Sequence, residues 1–140
     1  MMVNSNSKWI VSVLAVFLGV AVNFLAAPID QFFHILHVFP PWGEPMRDVS
    51  ENLLAFSYRA LLAVAGGYVT ARFAPGQPMR HAMILGAIGL VLTSAGAYYA
   101  MSHRETGPLW YPVLLAALCL PASYLGARIF MARNVGGWPR

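Results

Sequence analysis

The chain is predicted to be an all-α integral membrane protein, a four-helix bundle with a short interfacial amphipathic helix between its first and second spans. Three observations predict this. Of 140 residues, 59% are hydrophobic and only 10% charged, with a mean hydropathy of +0.61; soluble domains carry roughly 25% charged residues. Residues 9–29, 82–102 and 106–127 form uncharged or nearly uncharged runs, each long enough by the criterion of about 20 apolar residues per spanning helix. A fourth segment spans only if a charge enters with it. Between Arg59 and Arg72 lie 12 uncharged residues, about 18 Å of helix against a hydrocarbon core of about 30 Å. Counted from Glu51 the reach is adequate, which places Arg59 inside the membrane about two turns below that end.

The spans are expected at about 9–27, 52–73, 80–101 and 110–131, with the interfacial helix at about 29–39, all in one membrane domain covering 1–140. So short a chain with four spans has no room for a soluble catalytic domain. Its basic residues are scattered singly at helix ends rather than gathered in a patch, which excludes nucleic acid as a partner. The single cysteine, Cys119, falls inside the last span, so neither an intrachain disulfide nor a cysteine-rich metal site can form.

Lys8 precedes the first span, whose apolar run exceeds a signal-peptide core and lacks a small-x-small site before Pro28, so it is expected to be retained. Asn23 lies near its far end. Pro28 is expected to end this helix. Beyond it, Ile29, Phe32, Phe33 and Leu36 recur with helical spacing. The opposite face carries Asp30, His34 and His37, within about 60° of one another on a helical wheel. Aspartate and histidine at that spacing are ligand types for a divalent metal, although any interfacial helix also turns polar residues to water. Residues 39–45 hold three prolines and a glycine, a stiff link in which Trp42 suits the headgroup layer.

Asp48 or Ser50 is expected to cap the second span, with Glu51 complementing the helix dipole. Gly66-Gly67 lies deep in this span without the strand-to-helix setting of a phosphate loop, so it reads as a packing site. Ala74-Pro75-Gly76-Gln77-Pro78 is a tight turn that makes the second and third spans antiparallel neighbours. Gly86, Gly89 and Gly96 give the third span faces for close helix approach. Trp110-Tyr111-Pro112 opens the fourth span, in which Pro121 predicts a kink.

Lys8, Arg72, Arg80, Arg128, Arg133 and Arg140 fall on the face holding both termini; Arg47, Arg104 and all the acids (Asp30, Glu44, Asp48, Glu51, Glu105) fall on the other. Excess Lys and Arg marks the cytoplasmic side, so both termini are expected to be cytoplasmic. The second and fourth spans also end alike, in Tyr68-Val69-Thr70-Ala71-Arg72 and Tyr124-Leu125-Gly126-Ala127-Arg128, suggesting two parallel helical hairpins.

An intramembrane arginine is a functional hypothesis by default. Helical side chains tilt toward the helix N-terminus, so Arg59 can reach the acidic end, where Glu51, Asp30 or Glu105 can pair with it. At similar depth lie Asn23, Tyr58, Thr93, Ser94 and Cys119, and the sequence predicts a polar layer there, either a structural hydrogen-bond layer or a solute or ion site.

Tyr58-Arg59, Gly66-Gly67-Tyr68-Val69-Thr70-Ala71-Arg72, Pro78-Met79-Arg80-His81-Ala82 and Gly107-Pro108-x-Trp110-Tyr111-Pro112 resemble a group of small uncharacterised bacterial four-helix membrane proteins. The resemblance implies the fold and no activity. In size and span count the chain also resembles the small multidrug transporters, but the membrane-embedded glutamate of their first helix has no counterpart here. The expected role is accessory or in assembly, non-enzymatic, through self-association or docking into a larger membrane complex. The alternative is a small-solute or ion transporter or channel with its polar layer around Arg59. A metal-dependent membrane enzyme using Asp30, His34 and His37 is third.

Overall fold

In the computed structural model, which describes residues 5–103 and 107–134, the chain is all-α. It forms α1 (Ser5–Phe24), α2 (Ala26–Ile35), α3 (Val49–Phe73), α4 (Pro78–Ser102) and α5 (Trp110–Arg133), and no strand occurs among the described residues. Four helical stretches are long and apolar enough to cross a membrane, α1 and α2 counting together as one run of 31 residues. This is a multi-pass membrane protein. Arg104, Glu105 and Arg140 lie outside the described residues.

The surface confirms the solvent. Trp9 is 70% exposed, Leu61 72%, Val91 67% and Phe17 64%, a distribution that water would penalise and lipid does not. The interior instead collects small residues: Ala15, Ala55, Ala71, Ala82, Ala122 and Ala127 are buried, as are several glycines. Close backbone approach, rather than exclusion of apolar bulk, therefore holds the helices together.

Gly66 and Gly67 supply two of these approaches. Neighbouring helical residues point about 100° apart, so the pair faces two partners. A Cβ on Gly66 would stand 2.9 Å from the Gly19 carbonyl oxygen of α1, and one on Gly67 would stand 2.6 Å from the Ser123 carbonyl oxygen of α5. The partners reciprocate, since Gly19 has room for no more than hydrogen against Thr70 and Gly126 none against Val64 and Tyr68. On α4, a Cβ at Gly86 would come within 3.1 Å of the Cys119 carbonyl oxygen.

The tight turn around Gly76, at φ +94°, brings α3 and α4 back antiparallel as expected. Their mutual packing is nonetheless secondary. Each packs more extensively on α5, which inserts beside both, while α1 lies mainly on α3. Gly67 of α3 and Gly86 of α4 both face α5, which lets its backbone come close to each. The result sets the parallel helices α3 and α5 at the centre and α1 and α4 at the flanks, the arrangement two hairpins would have.

The α1–α2 segment departs from the sequence expectation. Pro28 does not end the first helix; the break is the single residue Leu25, and Pro28 sits in the first turn of α2. A proline ring clashes with the carbonyl four residues earlier, here Phe24, so the interruption falls ahead of the proline, whose missing N–H costs nothing in a first turn. Nor does the chain leave the bundle there. Thr70 donates to the Ala15 carbonyl, Asn23 adjoins Gly66, Asp30 meets Arg59 and Phe33 stacks on Tyr58, one antiparallel succession against α3 running through the break.

α2 ends at Ile35, and His37 adopts φ +57° as its left-handed stop, with its N–H donating to the His34 carbonyl. His37 is thus no part of the helix. Asp48, not Ser50, caps α3, its carboxylate accepting from the Ser50 N–H at 3.2 Å. α5 remains helical through Pro121.

Candidate functional site

The polar layer is organised by three side chains. Asp30 of α2 accepts from the Tyr58 hydroxyl through one carboxylate oxygen and from Arg59 Nη2 through the other, at 2.5 Å. Tyr58 and Arg59 are consecutive on α3 and reach one carboxylate because α2 runs alongside at their level. Phe33 stacks on Tyr58 at 5.8 Å and in turn packs against Phe39, closing the cluster from the side.

Of Asp30 and Glu51, geometry pairs Asp30 with Arg59, and Glu105 lies outside the described residues. An isolated guanidinium at a helix centre costs about 2.5–3.5 kcal/mol to insert, and a paired carboxylate offsets that cost. The pairing is incomplete: Arg59 Nε is buried and donates to nothing among the described residues. About a third of the Arg59 side chain remains exposed, against 19% for Asp30.

That exposed part opens on two cavities. The first, of about 350 Å³, is a groove open at the bundle surface, lined by Val20, Asn23, Asp30, Leu92, Leu118 and Cys119 with Leu92 exposed at its rim. The second, of about 420 Å³, lies toward the loops at the α2 end, where Trp42, Asn52, Gly96, Tyr111 and Pro112 line it. Arg59, Thr93 and Leu115 belong to both walls. Arg59 and Leu115 are also the positions that the matching ends of α3 and α5 bring into register.

The remaining predicted residues divide. Asn23 faces the first cavity but gives its amide N–H to the Gly19 carbonyl at 2.9 Å. Thr93 lies 3.6 Å from Cys119 Sγ, and that thiol donates to the Leu115 carbonyl at 3.3 Å. Ser94 points away on the exposed side of α4 and does not join the layer.

Asp30, His34 and His37 are not brought together as ligands. Asp30 is engaged with α3, His34 Nδ1 meets the Pro40 carbonyl at 2.7 Å with its ring stacked on Trp42, and His37 lies past the helix end. Among the described residues no group of three or more His, Cys, Asp or Glu side chains is placed to hold a metal. The helical-wheel argument fails because it extends to His37 a helix that stops at Ile35.

Sequence reasoning overlooked two residues. Tyr111 shares the second cavity with Arg59, its only sequence signal being an aromatic at a span's start. Asn52, only 2% exposed, donates to the carbonyls of Met46 at 2.9 Å and Asp48 at 2.8 Å, fixing the loop over that cavity. Compared with models of protein families, with curated proteins and with solved structures, the chain matches none.

Proposed function

We propose that the chain is a small-solute transporter or channel of the bacterial inner membrane, binding its solute at Arg59. The observation that carries this is the position of that arginine: one partly satisfied guanidinium stands at the junction of an apolar groove between the helices and a second cavity at the α2 end. A charge kept in the membrane only for packing would gain by completing its hydrogen bonds. Ligand sites are typically apolar concavities of about 300–1,000 Å³ with a few polar groups, and both cavities are of that kind. Excess Lys and Arg on the terminal side supports cytoplasmic termini and an α2 end facing outward.

The accessory role is the second reading, and one observation favours it. Gly19, Gly66, Gly67, Gly86 and Gly126 are used within the bundle, but Gly96 of α4, on the wall of the second cavity, has nothing within 4 Å among the described residues. A partner helix packing there would make the chain a component of a larger assembly or of a homo-oligomer.

Native mass spectrometry of the detergent-purified protein separates the two. A solute site predicts a small ligand retained by the wild type and lost from a folded Arg59→Ala variant. An accessory role predicts no ligand, and a change of oligomeric mass on Gly96→Leu.

A further inference from the structure

We infer that the solute taken at Arg59 is a monocarboxylate with an apolar tail, and that it enters together with one proton, which Asp30 receives. The inference rests on the reading of Arg59 as part of a solute site and adds its substrate class and coupling.

The substrate class follows from the donors and the walls. A guanidinium presents its N–H groups in a planar fork that matches a carboxylate. Asp30 holds Nη2, and Nε is buried without a partner among the described residues, so an incoming carboxylate gains the guanidinium by taking the place of Asp30. Val20, Phe24, Ile88, Leu92, Leu115 and Leu118 line the first cavity, so what extends from the bound head must be apolar. The second cavity, on the α2 side of Arg59, is the wetter approach, with Asn52, Glu44 and Tyr111 on its wall.

Coupling follows from charge balance. Asp30 and Arg59 together carry no net charge. A second carboxylate on the same guanidinium leaves the cluster at minus one, in surroundings where an unbalanced charge is costly. Every group facing Asp30 matters here. Tyr58 and Arg59 of α3 bond to it, Tyr111 of α5 faces the pair, Asn23 of α1 and Thr93 and Cys119 of α4 and α5 share its cavity, and among the described residues none of these adds a cation besides Arg59. His34, on its own helix, is bonded to Pro40 and stacked on Trp42. A proton from water is therefore what restores neutrality. It forms an O–H bond at Asp30, Arg59 passes from Asp30 to the incoming carboxylate, and the net charge is zero before and after. Release reverses both steps, so transport is electroneutral.

Calorimetric titration of the purified full chain with butyrate and benzoate, each in two buffers of different ionisation enthalpy, counts the protons taken up per anion. The wild type is expected to bind both, with about one proton per anion, and to bind acetate more weakly. Asp30→Asn is expected to bind butyrate with no proton uptake. Binding by the wild type without proton uptake overturns the coupling and leaves the solute site intact. Failure of butyrate and benzoate alike to bind overturns the substrate class, even if native mass spectrometry finds another ligand retained at Arg59. The wild-type buffer comparison decides the coupling even if Asp30→Asn does not fold.

Discussion

Gly67 of α3 and Ser123 of α5 meet backbone to backbone, so closely that a Cβ on the glycine would lie 2.7 Å from the serine Cα. Both residues belong to parallel helices, and aligning Tyr68-Val69-Thr70-Ala71-Arg72 with Tyr124-Leu125-Gly126-Ala127-Arg128 places them at equivalent positions. The contact is rigid on both sides because it is made by main chain. No rotamer change can relieve a group added there.

Gly67→Ala should therefore separate α3 from α5 and lower stability by about 1–3 kcal/mol, the usual cost of overpacking. Gly96→Ala, with nothing within 4 Å of the position among the described residues, should leave stability nearly unchanged. Thermal unfolding in detergent, followed by loss of helical signal, compares the two; equal behaviour would show that the α3–α5 seam yields freely.

Removing the carboxylate from the charge cluster strands a guanidinium in the membrane. Asp30→Ala should destabilise the bundle by about 2–3 kcal/mol, below the 3–5 kcal/mol for a fully buried pair because Arg59 is partly exposed. Adding Arg59→Met to it should recover much of the loss. Denaturant titration of both single variants and the double variant measures the coupling, and strict additivity would mean that the pair contributes nothing.

Thr70 is fully buried and donates its hydroxyl to the Ala15 carbonyl at 3.1 Å, a hydrogen bond between α3 and α1. Membrane interhelical hydrogen bonds average only about 0.6 kcal/mol, so Thr70→Val should cost about that much. Gly19→Ala, which drives a methyl into the Thr70 hydroxyl and the Gly66 carbonyl, should cost several times more. If the two substitutions prove equal, hydrogen bonding rather than close approach dominates this interface.

Cys119 is the chain's single thiol and lines the first cavity beside Thr93. An uncharged maleimide should alkylate it. Thr93→Leu narrows the wall shared by both cavities and should slow that reaction several-fold while leaving unfolding nearly unchanged. An unaltered rate would mean that the thiol is reached from the lipid face.

Orientation has its own test. In a Cys119→Ser background, Glu44→Cys should react with an impermeant thiol reagent added outside intact cells, and Ser7→Cys and Asn134→Cys should not. The opposite pattern inverts the proposed topology.

The spans were legible in the sequence because an apolar run of sufficient length is a local property. The stretches read as 52–73, 80–101 and 110–131 appear as Val49–Phe73, Pro78–Ser102 and Trp110–Arg133. The pairing of Gly66 and Gly67 with two different neighbours was only half legible. Their role in packing follows from their depth, but which helix each one touches depends on the arrangement of the bundle.

The sequence by itself determined that this is a four-span membrane protein, that Arg59 lies within one span, and that Asn23, Thr93 and Cys119 lie near its level; hydrophobic length and helical rise suffice for that. Only the tertiary structure decided that Asp30 turns toward α3 instead of joining His34 and His37, and that Ser94 stays outside. It also decided that Arg59 stands between two cavities. The placement of Asp30 against Arg59 depends on the register of α2 against α3 and on where α2 stops. Both are set by a one-residue break at Leu25 and a left-handed residue at His37, and a helical wheel drawn through an assumed continuous helix contains neither.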